Sequence, residues 1–181
     1  MEAILLILVL VFVLFLIGGI SSRTRATGIS SDTSAKRRRR EKSQTEYKQG
    51  YFTPRYPEKY RGDAGNIIYR SGWQETAFHW CDMNRHVIAW ASEKLPIPYF
   101  MKGIRYRRNY YPDLLIYFSN GETVMVEIKP GDQKANPNYE NRCKWAAARA
   151  YCREEGWAFR IWDEETIEKL RPKIAIWQRY H

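Results

Sequence analysis

Between Asp113 and Lys129 the chain can pair with itself in only one register if its apolar side chains are to share a side. Side chains alternate faces along a strand. Leu114, Ile116 and Phe118 fall on one face of the first segment, and Val124, Val126 and Ile128 fall on one face of the second. Burying both sets together requires an odd-length turn and sets Asp113 opposite Glu127. Ser119-Asn120-Gly121 supplies a three-residue loop with Gly121 in the left-handed position. A two-residue Asn-Gly turn would flip one strand by a face and scatter the apolar set. The opposite faces carry Asp113, Leu115 and Tyr117, then Thr123, Met125, Glu127 and Lys129. The register that buries the apolar set therefore gathers two carboxylates and an amine on the other, polar side of one ribbon.

That grouping has a chemistry. Two carboxylates, Asp113 and Glu127, can hold a hard divalent cation through oxygen ligands, usually Mg²⁺, with Mn²⁺ as the alternative. Such an ion supplies Lewis acidity and an activated water. Lys129 can position that water or stabilise charge developing on a phosphate. The expected chemistry is metal-dependent phosphodiester cleavage. The competing reading is a set of solvent-exposed cross-strand charge pairs.

Net charge is +10 over 181 residues, with 9 Lys+Arg against 4 Asp+Glu in residues 1–50 and 21 against 16 in residues 51–181. A basic excess suits nucleic acid or an anionic membrane surface, and charge alone does not choose. Arg105-Tyr106-Arg107-Arg108-Asn109-Tyr110-Tyr111 runs directly into the acidic hairpin. Arg105, Arg107 and Arg108, with Lys144 from a later helix, are the candidate phosphate contacts, and the tyrosines could stack on bases. No base-reading motif is present, so little sequence specificity is expected. Cys81, Cys143 and Cys152 lack ligand spacing; Cys81 and Cys143 sit at apolar helix positions and read as buried free thiols in a reducing compartment.

Residues 1–20 form a hydrophobic segment, apolar without interruption from Ala3 to Ile20. That is the lower limit for a bilayer span. The favoured reading is a membrane anchor, with an apolar helix buried in an assembly as the alternative. Arg23, Arg25 and Lys36-Arg37-Arg38-Arg39-Arg40 follow it, which would leave the rest on the cytoplasmic side. Residues 21–50 read as a disordered basic linker, and residues 51–181 as one domain.

Within that domain Ser71 is an N-cap with Gln74 completing a capping box. Trp73, Ala77, Trp80 and Cys81 line a helix running to about Met83. Val87–Trp90 is a strand, Leu95–Tyr99 an extended edge, 131–138 a loop, Asn141–Glu155 a helix ended by Gly156. Ala158–Trp162 is a strand, and Asp163 caps a short helix reaching about Leu170. The order matches the core of the PD-(D/E)xK nucleases. The expected fold class is thus α/β (α+β), a restriction-endonuclease-like mixed β-sheet flanked by helices.

The likeness extends beyond the motif. Pro57 to Asp63, Tyr69-Arg70-Ser71, Trp73, Cys81-Asp82, Trp90 to Glu93 and Ile97-Pro98-Tyr99 resemble the head completion nucleases of T-even-like tailed bacteriophages. So do Pro112-Asp113, Asn120-Gly121, Glu127 to Pro130, Lys144-Trp145, Ala147 to Cys152 and Gly156-Trp157. The same core is similar, more distantly, to TnsA-type transposon endonucleases. The resemblance implies a virion-assembly enzyme that hydrolyses packaged double-stranded DNA with Mg²⁺ before the head joins a tail. Phage head, neck or portal proteins would be its partners, in the host cytoplasm or the virion head and neck. By it, Asp113 and Glu127 bind metal and Lys129 works on the attacking water.

Two departures stand out. The family commonly has an acidic residue directly after the helix-starting Trp, where this chain has Gln74, with Glu75 one step on. Either Gln74 serves the site as a neutral ligand or Glu75 reaches it, although one residue turns a helix by about 100°. The second departure is the apolar segment 3–20, which a head protein does not need and which could tether the enzyme to the host inner membrane. The alternatives are a non-enzymatic DNA-binding head or neck protein on this fold, and a membrane-tethered host defence nuclease.

Overall fold

The computed structural model describes residues 48–180. In chain order its elements are β1 (Gly50–Phe52), a single 3₁₀ turn at Pro57–Lys59, β2 (Ile67–Tyr69), α1 (Gly72–Met83), β3 (Val87–Ala91), β4 (Ile97–Tyr99) and β5 (Arg108–Tyr110). They continue with β6 (Leu114–Phe118), β7 (Thr123–Ile128), α2 (Gly131–Ala135), α3 (Tyr139–Glu155), β8 (Ala158–Trp162) and α4 (Glu164–Tyr180). The apolar segment 1–20 and nearly all of the basic stretch 21–50 lie outside the described residues, and with them the anchor reading. Among the described residues no helix is long and apolar enough to cross a membrane.

The central sheet has the order β3-β6-β7-β8. β6 runs antiparallel to β3 and β7, whereas β8 runs parallel to β7. The expected mixed sheet flanked by helices is what forms. Leu114 pairs with Val126 and Ile116 with Val124, a register that continues to Asp113 beside Glu127. Phe118 and Glu122 close the three-residue loop through a 2.9 Å backbone bond, and Gly121 lies at φ +85°. Only a residue without Cβ takes that conformation at no steric cost.

One face of the sheet packs under α1 and α4. Leu114, Ile116, Val124, Val126 and Ile128 meet Trp73, Ala77 and Cys81 there, and Ile167 and Leu170 from α4. Trp90, fully buried, is the hub of an aromatic cluster with Phe52, Tyr60 and Phe78. The other face is not the polar surface expected for the ribbon. α3 and the β4–β5 pair cover it, and Met125 is buried with Ile97, Tyr99, Tyr110, Ala148 and Cys152. Alternation read from two strands could not reveal a second apolar layer supplied by a helix that follows later in the chain.

Local signals account for several helix ends. Ser71 Oγ accepts from Gln74 N and caps α1. Asn138 Oδ1 accepts from Asn141 N and caps α3. Gly156, at φ +73°, ends α3 with Trp157 N–H returning to the Cys152 carbonyl, the 6→1 bond of a Schellman motif.

Several expectations need correction. Residues 131–135 form a short helix, not a loop. Leu95–Tyr99 pairs only from Ile97, with β5, in a two-stranded sheet of its own. Cys143 is half-buried, although Cys81 is buried as expected. The last helix runs ten residues past Leu170, to Tyr180, and Pro172 does not end it.

Candidate active site

The corner between β5 and β6 places Asp113 at the mouth of the sheet. Its Oδ2 accepts from the backbone N–H of Ile128 at 2.6 Å, so the side chain takes over pairing where the β6–β7 ladder ends. Its Oδ1 accepts from Gln74 Nε2, also at 2.6 Å. Glu127, only 4% exposed, is held at both oxygens. Lys129 Nζ lies 2.8 Å from Oε1, and Tyr110 Oη donates to Oε2 at 2.5 Å. Each carboxylate oxygen thus spends one of its roughly two acceptor positions on an orienting donor. The remaining positions are available to a cation.

Electrostatics reflect the crowding. Burial, and after it the Glu127 carboxylate, push the Asp113 carboxyl up from the ordinary range to about 7. Lys129 and the two hydrogen bonds only partly oppose them. Burial and the adjacent Glu127 likewise raise the Tyr110 phenol, which stays a donor to Glu127. A cleft of about 340 Å³ opens over this cluster, with Gln74, Asp113, Lys129 and Gln133 in its wall together with Arg70 and Glu93.

The structure therefore brings Asp113, Glu127, Lys129 and Gln74 together. Gln74, 6% exposed, also answers how its helix begins. Its Oε1 accepts from Arg70 N, one residue before the N-cap, so the expected capping box closes a residue early. Glu75 does not reach the cluster. The helix turns it to Lys48, with which it makes a 2.9 Å ion pair.

Of the proposed phosphate contacts, Arg105 and Arg107 are exposed on the segment between β4 and β5. Arg108 and Lys144 instead converge on Glu140, at 3.3 and 2.9 Å, and both lie over the Tyr99 ring. These two cations are engaged in ion pairs within the fold.

Sequence reasoning missed Tyr110 as a site residue by grouping it with the DNA-facing run. A three-residue strand carries too little alternation to reveal that Tyr110 turns inward while Arg108 and Asn109 face out. It also assigned no role to Arg70 and Glu93, whose only signal was their place in the wider resemblance.

The carboxylate pair can be tested against a divalent ion. Both ligating groups are hard oxygen donors, and a cation between them relieves the repulsion that raises Asp113. Among the described residues no cluster of three or more His, Cys, Asp or Glu exists. The protein would thus supply two carboxylates, leaving other positions to water and phosphate, the mode of binding Mg²⁺ favours. The residues fit such an ion.

Comparisons agree with this geometry. A family model described as TnsA-like endonuclease N terminal matches residues 84–164, the span from the end of α1 through β8. That match includes Asp113, Glu127 and Lys129 and stops short of Gln74. The head completion nuclease of Enterobacteria phage T4 is 33% identical over 146 residues, covering 70% of this chain and 97% of that protein. One residue in three is thus shared along nearly the whole of that relative, and the chain belongs to the head completion nuclease family.

Proposed function

We propose that the chain is a Mg²⁺-dependent nuclease that hydrolyses phosphodiester bonds of double-stranded DNA during phage head completion. The observation that carries the reading is the convergence of Asp113, Glu127 and Lys129, with Asp113 and Lys129 in the wall of one cleft and the buried Glu127 paired to Lys129, on the register that also buries the core. Asp113 and Glu127 would hold the ion. When bound, it supplies Lewis acidity toward the phosphate and acidifies a water.

The protein's own groups do the rest. Lys129 Nζ, anchored on Glu127, orients the attacking water and offers positive charge to the phosphate as negative charge builds on it. Tyr110 and Gln74 fix the rotamers of Glu127 and Asp113, so the carboxylates do not have to reorganise when substrate arrives. Arg105 and Arg107 extend a positive approach for the DNA backbone, with phosphate rather than base contacts, so cleavage is indifferent to sequence. The substrate is packaged DNA, trimmed before the head is joined to a tail, with head, neck or portal proteins as neighbours.

The test is plasmid DNA incubated with the full chain. Mg²⁺ or Mn²⁺ is expected to support nicking or degradation, and excess EDTA to stop it. Cleavage that continues unchanged in EDTA would overturn the metal-dependent reading.

A further inference from the structure

Glu93 follows the buried end of β3 and has φ +48°, the left-handed region. A glutamate seldom adopts it, and side chains enriched there are Asn, Asp and His. The unusual turn aims its carboxylate at Arg70. Arg70 Nε lies 3.0 and 3.2 Å from the two Glu93 oxygens, and one terminal nitrogen lies 3.0 Å from Oε2. Both residues stand in the wall of the cleft that holds Asp113 and Lys129.

An ordinary surface ion pair would explain the contact but not its setting. The Arg70 side chain is 60% exposed, and a pair so placed contributes little to stability. Yet Arg70 is tied to the candidate metal site by two short bonds in series. Its backbone N–H donates to Gln74 Oε1, and Gln74 Nε2 donates to Asp113, each at 2.6 Å. The Arg70 backbone is therefore registered to the carboxylates, and Glu93 holds the guanidinium within the same cleft wall. A planar fork of donors accepts carboxylate and phosphate in the same two-pronged geometry. A neighbouring cleft, which Glu93 also lines, has Arg61 and Lys94 in its wall. Glu93 has other cations within its surroundings if it leaves Arg70.

We infer that Arg70 is a phosphate clamp of the nuclease cleft, and that the Glu93 carboxylate occupies it as a stand-in until a DNA phosphate replaces it. This deepens the nuclease reading and rests on it. Arg70 would place the substrate backbone relative to Asp113, and Glu93 would weaken adventitious DNA binding by competing for the same fork.

Binding of a fluorescent duplex to the full chain in EDTA, followed by anisotropy across a salt series, tests this without cleavage. Arg70→Ala is expected to weaken binding about tenfold. It should also make the slope of log K against log[salt] shallower by about 0.9, one phosphate contact. Glu93→Gln is expected to tighten binding about three- to fivefold, the scale of an exposed ion pair released. That gain should vanish when Glu93→Gln is made in the Arg70→Ala background. Arg70 is exposed and Glu93 half-buried, and Gln keeps the shape of Glu, so the variants should melt near the wild type. An Arg70→Ala variant with the wild-type salt slope would overturn the clamp. An equal gain from Glu93→Gln with or without Arg70 would show general repulsion and overturn the stand-in. If the variants fail these tests while the wild type binds and cleaves DNA, only this inference falls; a wild type that binds no duplex in EDTA and cleaves none with Mg²⁺ overturns the nuclease reading as well.

Discussion

Asp113→Ala in the full chain is expected to abolish metal-dependent DNA cleavage, with a rate loss on the order of a thousandfold, the scale on which single preorganised groups act in active sites. The side chain has two jobs. One oxygen accepts from Ile128 N and the other from Gln74, and between them the carboxylate supplies half of the charge offered to the cation. Alanine removes both functions and leaves a partly buried N–H without its acceptor, at a cost of about 1–3 kcal/mol in stability. Asp113→Asn separates the two. Its amide oxygen can still accept from Ile128, while the negative charge is gone. Both variants should be inactive, and the Asn variant keeps the Ile128 bond while its amide nitrogen meets the Gln74 Nε2 donor, so it should melt below the wild type but above Asp113→Ala. Cleavage persisting in either at equal purity would remove Asp113 from the site.

Mg²⁺ affinity should depend steeply on pH. Without metal, burial and Glu127 hold the Asp113 carboxyl at about 7. A ligating carboxylate must lose its proton, so binding releases one below that point. From about pH 7 down to about pH 5 the apparent affinity should fall about tenfold per unit, a hundredfold in all, and it should level off above pH 7. The sign for folding runs opposite. A carboxyl whose folded pKa is raised binds its proton more tightly in the folded than in the unfolded chain. The metal-free domain is therefore expected to lose stability as pH rises from about 4 to about 7, and saturating Mg²⁺ to restore it. Titration calorimetry in buffers of different ionisation enthalpy reads the released proton, and thermal melts across the same range read the stability. A flat affinity between pH 5 and 7, or a metal-free domain that gains stability over that range, would contradict the placement of Asp113.

The hairpin was the most legible part of the molecule because two independent constraints agreed on it. Alternation in β6 and β7 and the turn at Gly121 each require the same odd-length loop, so the pairing of Leu114 with Val126 could be read in advance. The C-terminal end of α3 was legible for a similar reason, since Gly156 acts through backbone chemistry close to itself; its start, expected at Asn141, lies at Tyr139 behind an Asn138 cap. What depended on distant packing was not. Leu115 and Met125 look like minority members of a polar face until α3 covers them. Pro172 looks like a stop, yet the helix continues past it to Tyr180.

The convergence of Asp113, Glu127 and Lys129 could be read from spacing, but which of Gln74 and Glu75 meets them could not. A rotation of about 100° separates them on the helix, and only the position of Asp113 decides which one it meets. Glu93 was illegible as well, since nothing in sequence announces a left-handed glutamate.

The most direct measurement is anomalous diffraction from crystals of the full chain grown with Mn²⁺. One peak is expected in the cleft between Asp113 and Glu127, with a carboxylate oxygen of each within about 2.0–2.6 Å, the span of hard divalent ions on oxygen. Saturating Mn²⁺ that leaves this position empty, or a peak held by other residues, would contradict it.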